Sequence, residues 1–329
     1  MKLATYRAGR EVRVGVVDTA GDGRVFDLAS AARRDGVAGD AFASMLSLID
    51  ADDAGIERAR RLLERRAAEA DLWSPLSEVA LLAPLPEPRQ LRDAMAYPLH
   101  IRQAARGARA TKALRVGGRE AFEAAMAEPL EEAPAIYREI PIHFFGNRLT
   151  VVGPDAVVNW PRYSKVIDYE LEIGLVTKRT QANIPADKAG AHIFGYTIYN
   201  DLSARDRQAL EARGRLGPAK GKSFDGSNAI GPWLVTPDEL GDPRRLTVEV
   251  RVNGETRGQG ETGEMLFSFE EILAYVSQDE TIHAGELFGS GCVGGCSGLE
   301  IGRFLEHGDS VELKVDRIGV LRNTVLRQG

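Results

Sequence analysis

Between residues 167 and 176 the apolar and polar positions alternate strictly, with Ile167, Tyr169, Leu171 and Ile173 set against Asp168, Glu170 and Glu172. A period of two is the mark of a strand, whose successive side chains point to opposite faces. The pattern predicts three carboxylates in a row on one face. Like charges so arranged repel one another and are costly to take out of water, so either solvent covers the face or something neutralises it. A hard divalent cation held by carboxylate oxygens does so. On spacing alone a solvated outer face explains the row equally well. Asp201, just beyond the apolar strand expected over 193–199, supplies a fourth carboxylate and shifts the balance toward a cation.

Elsewhere the patterning divides the chain in two. Residues 12–18 read as a strand, 20–23 as a turn and 24–28 as the returning strand. A helical period follows over 55–72, carried by Ile56, Ala59, Leu62 and Leu63. The apolar run 79–88 reads as a short strand that ends in prolines, a boundary signal. A small α+β unit over 1–85 and a larger domain over 86–329 are therefore expected. Residues 101–132 are rich in Ala, Arg and Glu and poor in large apolar groups. That composition suits a partly helical lid, spanning 101–145 at its widest, and suits an exposed helix pair equally. After Thr150 short strands and glycine turns dominate. Residues 247–252 followed by Asn253-Gly254 signal a hairpin. Ser268-Phe-Glu-Glu271 reads as a capping box opening a helix through Ile272, Leu273 and Val276. Residues 311–315 and 319–322 read as a closing strand pair. The expected class is mixed α/β, mostly β.

With 329 residues, 43% of them apolar, the chain can bury a full core. Mean hydropathy is -0.22, and no apolar run approaches the ~18 residues of a membrane span. The first residues lack the apolar stretch of a signal peptide, and two cysteines make no disulfide framework. A reducing cytoplasm is the expected location. A net charge of -6 with mixed signs argues against nucleic acid as the main partner.

Two further stretches carry chemistry. In Asn200-Asp-Leu-Ser-Ala-Arg-Asp-Arg-Gln208, Ser203 with Asp206 three residues on suggests a helix start. Arg205 and Gln208 then share a helix face. An arginine fork suits a substrate carboxylate, although a salt bridge to Asp201 or Asp206 is its simplest role. The glycine-rich stretch 217–233 contains Gly221-Lys-Ser223, the end of a phosphate-loop pattern, but Leu216 stands where that pattern needs its first glycine. It reads instead as a loop that brings Lys222 to the site.

Glu170-Leu-Glu172, Asn200 to Gln208, Gly221-Lys-Ser-Phe-Asp225 with Gly231-Pro-Trp233, and Gly289-Ser-Gly291 occur in this order. Together they resemble the fumarylacetoacetate hydrolase superfamily, over about residues 91 to 326. The resemblance implies the family's catalytic β-fold, a β-sandwich or rolled sheet, with a small α+β domain before it as in bacterial members. It implies a magnesium ion (or manganese or calcium) bound by Glu170, Glu172 and Asp201, with Asp93 as a fourth ligand and Asp168 outside the ligand set. It also implies a catalytic histidine seven residues beyond Asp93, where His100 stands, one of five histidines. Its acidic partner would be Glu300, with Lys222 stabilising developing negative charge and Arg205, Gln208 and Ser290 binding the substrate's oxygens. One departure is evident: Cys292 occupies the place of a family threonine that binds a substrate carboxylate or oxyanion. A thiol is a weak donor. Cys292 as a nucleophile, and Cys292 with Cys296 as a metal pair, are lesser readings.

The resemblance implies hydrolytic cleavage of a C–C bond next to a carbonyl, in a β-diketo or acylpyruvate-like acid. Decarboxylation, isomerisation or hydration of a 2-keto acid is the alternative on the same fold. A non-enzymatic cation-binding module is the alternative of another class, and it leaves Lys222 and Arg205 without a purpose. The expected partners are a small carboxylate substrate and a second copy of the chain in a homodimer.

Overall fold

The computed structural model describes residues 1–36 and 40–327. Two sheets dominate. A large one runs through the strands Glu11–Asp18, Lys2–Ala8, Asn228–Val235, Ile193–Asp201, Leu171–Thr177, Leu287–Gly289 and Leu91–Ala94 in that spatial order. A smaller one pairs Glu255–Glu261, Thr247–Val252, Ser310–Val315, Gly319–Arg327 and Val157–Trp160. Their facing sides share one core, in which Tyr196, Ile198 and Val235 of the large sheet join Val250, Leu313 and Leu321 of the small one. Trp233 ties them further, donating its indole N–H to the Ile318 carbonyl at 2.7 Å. The mixed α/β class expected of the chain is the one found, with helices taking as large a share as strands rather than a mostly β make-up.

The other side of the large sheet is covered too. Phe42, Met45, Leu48 and Leu62 from the N-terminal helical segments pack with Phe194, Tyr199, Ile230 and Leu287. Because both faces are buried, the central strands have no polar side to give to water. The expected boundary near residue 85 falls in an irregular connection, yet the sheet crosses it: Lys2 and Leu3 pair with Val235 and Leu234.

Several local expectations hold. Residues 11–18 and 24–27 form the predicted antiparallel pair. The 247–252 strand turns at Asn253 (φ 53°) and Gly254 (φ 80°), the left-handed pair a two-residue hairpin requires. The helix Phe269–Val276 opens on the capping box of Ser268 and Glu271. Others differ. The predicted 55–72 helix runs from Asp52 to Arg66, its start favoured by Asp52 and Asp53 in the first turn. Of the run 79–88 only Ala80–Leu81 is strand, since prolines cannot donate to a ladder. The alternating stretch does not form one strand. Ile167–Asp168 pairs with Ser203–Ala204, while Leu171–Thr177 joins the large sheet. Among the described residues, no helix is long and apolar enough to cross a membrane.

The segment expected as a lid is the helix Pro98–Met126, interrupted at Gly118 (φ 69°). Proline at its start suits a first turn whose N–H groups have no helical partner. The helix lies on the short helix Gly298–Ile301. Gly107 sits so close to the Leu299 backbone that a Cβ would collide with it. His100 is thereby placed in the first turn of this helix, at the interior.

Candidate active site

Three strands of the large sheet deliver three carboxylates to one point. Asp93 comes from Leu91–Ala94, Glu172 from Leu171–Thr177, and Asp201 ends Ile193–Asp201. One oxygen of each lies within 4.8 Å of the others, and all three residues are buried. Gly289, in register with Asp93 on the neighbouring strand, makes the gathering sterically feasible. A Cβ there would meet the carboxylates of Asp93 and Glu172 and the ring of Tyr199.

The cluster has the character of a cation site. Oδ1 of Asp93 and Oδ1 of Asp201 are buried without a hydrogen-bond partner, an arrangement that is costly unless something positive meets them. Burial, reinforced by the neighbouring carboxylates, pushes Glu172 and Asp201 well above the usual carboxylate range, and burial raises Asp93 as well. A divalent ion that takes oxygen ligands fits this donor set.

Glu170 stands beside the three rather than among them. Arg205 Nη2 donates to its Oε1 at 2.8 Å, and Lys222 Nζ bridges its Oε2 and Asp201 Oδ2. Burial alone would raise the Glu170 pKa, but the charges of Arg205 and Lys222 together hold it below the ordinary value. Of the four ligands implied by resemblance, Asp93, Glu172 and Asp201 converge, and Glu170 is tied to the basic pair.

His100 faces two acids. Its Nδ1 lies 3.1 Å from Glu300 Oε1 and its Nε2 3.6 Å from Glu170 Oε1. Glu300 is fixed in turn, its Oε2 accepting the Ser297 N–H at 2.7 Å and its Oε1 the Gly295 N–H at 3.0 Å. Burial disfavours the imidazolium, yet the charges of Glu300 and Glu170 outweigh it, so the His100 pKa is raised. A buried imidazole set between two carboxylates has the chemistry that proton transfer needs.

Asp168 has a structural task. Its Oδ2 accepts from Arg205 Nε at 2.7 Å and from the Leu299 N–H at 2.9 Å, and its Oδ1 from the Gly298 N–H at 2.8 Å. It joins Arg205 to the start of the helix that carries Glu300. Arg205, which the sequence offered to substrate, is committed to Asp168, Glu170 and the Gln208 side-chain oxygen, the last at 3.0 Å. Ser203 is no helix cap; it precedes Ala204, and its hydroxyl donates to the Asp201 carbonyl at 3.0 Å. Ser290 is engaged similarly, accepting the Ile173 N–H at 3.0 Å and donating to the Gly291 carbonyl at 2.7 Å.

Cys292 is buried, and its Sγ lies 3.4 Å from the Val293 carbonyl. Burial, with Glu300 and Glu170 nearby, pushes its thiol pKa well up, which disfavours a free nucleophilic thiolate. Two buried polar groups escaped the sequence reading. The Tyr97 hydroxyl and Asn200 Nδ2 have no partner, and Tyr97 lies between Asp93 and His100 in the chain.

Carboxylates gathered by a sheet, a histidine facing glutamate and a lysine bridging two acids make up a site that could hold a divalent ion. The chain belongs to the fumarylacetoacetate hydrolase superfamily: residues 111–326 match the family described as fumarylacetoacetate (FAA) hydrolase C-terminal. Asp93 and His100 lie ahead of the matched stretch. Oxaloacetate tautomerase YisK of Bacillus subtilis (strain 168) is 30% identical over 331 residues, spanning 99% of this chain and 100% of the relative. The human mitochondrial oxaloacetate tautomerase FAHD2A is 30% identical over 288 residues, 86% of this chain and 80% of that protein. The solved fumarylacetoacetate hydrolase of Exiguobacterium antarcticum superposes with a TM-score of 0.71 at 26% identity, covering 100% of both chains. The superfamily thus includes tautomerases as well as hydrolases.

Proposed function

We propose that this chain interconverts the keto and enol forms of a short 2-oxo acid of the oxaloacetate class, with a divalent cation held by Asp93, Glu172 and Asp201. The observation that carries the reading is the His100–Glu300 pair, a single buried proton-transfer group 3.1 Å from its carboxylate brace and beside the carboxylate cluster. The similarity to an oxaloacetate tautomerase over the whole chain supports it. Mg²⁺ is the expected ion, with Mn²⁺ or Ca²⁺ as alternatives. When bound, the cation supplies Lewis-acid polarisation of the carbonyl.

The protein's own part is proton transfer. His100 Nε2 takes a proton from the carbon next to the carbonyl and returns it to the enolate oxygen. One C–H bond is broken and one O–H bond formed, with no water consumed. Glu300 stabilises the imidazolium between the two events. Lys222 Nζ, fixed by Glu170 and Asp201, adds positive charge where negative charge develops. Arg205 keeps Glu170 ionised.

Hydrolysis of an acylpyruvate is the second reading, favoured by the same pair, which is equally able to take a proton from water. The engaged hydroxyl of Ser290 and the thiol of Cys292 make this loop a poor oxyanion donor, which supports tautomerisation first. The test follows enol-oxaloacetate decay by ultraviolet absorption with Mg²⁺ and with EDTA, alongside acylpyruvates with products identified by mass. Metal-dependent acceleration of enol decay, lost in His100→Ala, is the expected result. Acylpyruvate cleavage with no acceleration of enol decay would replace the first reading by the second.

A further inference from the structure

The carboxylate cluster is not the one place where ligand atoms converge. One ligand atom each from His100, Glu170 and Cys292 also lie within 4.8 Å of one another, and all three residues are buried. This set differs in kind from its neighbour. Three carboxylate oxygens suit a hard ion such as Mg²⁺, whereas an imidazole, a carboxylate and a thiol suit a softer ion, Zn²⁺ above all. We propose that His100, Glu170 and Cys292 form a second metal site that takes Zn²⁺.

The geometry needs little adjustment. Ligand atoms at the usual zinc distances of about 2.0–2.3 Å stand roughly 3.3–3.8 Å apart in a tetrahedron. The 3.6 Å from His100 Nε2 to Glu170 Oε1 already has that spacing, and the Cys292 sulfur lies within 4.8 Å of a ligand atom of each. Behind the histidine the support is in place. Glu300 lies 3.1 Å from Nδ1, the carboxylate–histidine arrangement that orients a ring toward zinc and raises its basicity. Glu300 is itself fixed by the Ser297 and Gly295 N–H groups.

Charge favours a second cation. The buried carboxylates of Asp93, Asp168, Glu170, Glu172, Asp201 and Glu300 outnumber the two buried cations among them, Lys222 and Arg205. Arg205 occupies Glu170 Oε1 from one side, but a carboxylate oxygen has a second lone pair for a metal. Binding exchanges the Cys292 S–H bond for a Zn–S bond, and the proton leaves to solvent. Zinc bound here takes His100 Nε2 out of proton transfer, so it inhibits even with Mg²⁺ in the carboxylate cluster. That consequence, unlike the site, rests on the function proposed above.

The test uses Co²⁺ as a spectroscopic probe on the full-length, Mg²⁺-loaded protein. A thiolate on Co²⁺ gives a near-ultraviolet charge-transfer band, and Cys292 and Cys296 are the chain's two cysteines, so the band reports on them alone. The band is expected to saturate at one Co²⁺ per chain, to be displaced by Zn²⁺, to vanish in Cys292→Ser and to persist in Cys296→Ser. No band in the unmodified protein at saturating Co²⁺, or a band that survives Cys292→Ser, overturns the site. In parallel, Cys292→Ser is expected to raise the Zn²⁺ concentration for half-inhibition at least about tenfold relative to its own uninhibited rate, since even outer partners of a metal are worth that much. A band with the expected behaviour but no inhibition by Zn²⁺ keeps the site and overturns His100 as the proton-transfer group.

Discussion

Replacing Asp168 by asparagine exchanges one carboxylate oxygen for an NH₂ group at the point where the site is assembled. Every neighbour hydrogen-bonded to the Asp168 carboxylate is a donor: Arg205 Nε and the Leu299 N–H to Oδ2, the Gly298 and Tyr169 N–H groups to Oδ1. A carboxamide must turn its NH₂ toward one of these pairs, leaving two buried donors facing another donor. Each unsatisfied group costs about 1–3 kcal/mol, and breaking a buried ion pair from one side about 3–5 kcal/mol. These losses belong to one network and overlap rather than add, so a destabilisation of about 3–5 kcal/mol is expected. At roughly 2 °C per kcal/mol for a large domain, calorimetry of Asp168→Asn should show a Tm about 6–10 °C lower. The carboxylates of Asp93, Glu172 and Asp201 make no bond to Asp168, so Mg²⁺ affinity by titration calorimetry should stay within about tenfold. Turnover should fall much further, because Arg205 loses a partner and the helix bearing Glu300 loses its anchor. A variant with unchanged Tm and full activity would refute this account of Asp168.

Gly289→Ala places a methyl group against the Asp93 and Glu172 carboxylates; overpacking of about 1–3 kcal/mol should weaken Mg²⁺ binding by about ten- to hundredfold, measured by calorimetry. Because burial and mutual repulsion raise the folded-state pKa values of Glu172 and Asp201, metal-free stability is greatest below the unfolded carboxylate range and is lost as pH rises through the raised values. The Tm of EDTA-treated protein should therefore fall as pH rises above the ordinary carboxylate range, and the gain from Mg²⁺, about 2.7 kcal/mol at a hundredfold excess over Kd, should be larger at the higher pH. His100→Ala should lower kcat by about 10²–10⁴ while leaving Mg²⁺ affinity within a few-fold. Glu300→Gln removes the charge that most raises the His100 pKa, so the limb of the pH–rate profile set by His100 should move to lower pH, and an unmoved limb would detach Glu300 from it.

The carboxylates were legible in the sequence, and their surroundings were not. Alternation over 167–176 pointed to acids needing neutralisation, because such a row has few meanings on a strand. It predicted one face, however, and a single strand. Asp168 instead lies on the two-residue strand before the break, bound to Arg205 and the 298–301 helix, while Glu172 lies in the large sheet beside Asp93 and Gly289. The reason is long-range: what neutralises Asp168 is 37 residues away at Arg205 and 130 away at Gly298, and no local period encodes such partners. The same limit hid the zinc ligands. The departure at Cys292 was visible as a lost hydroxyl, but its meaning depends on His100, brought to it by a helix start packed on the glycine loop, where Gly294 has room only for the Leu99 side chain. A substitution that weakens an oxyanion contact and one that adds a soft ligand are the same residue in sequence. They part once His100, Glu170 and Cys292 share one buried volume, where a thiol can meet a metal that a threonine hydroxyl would hold poorly.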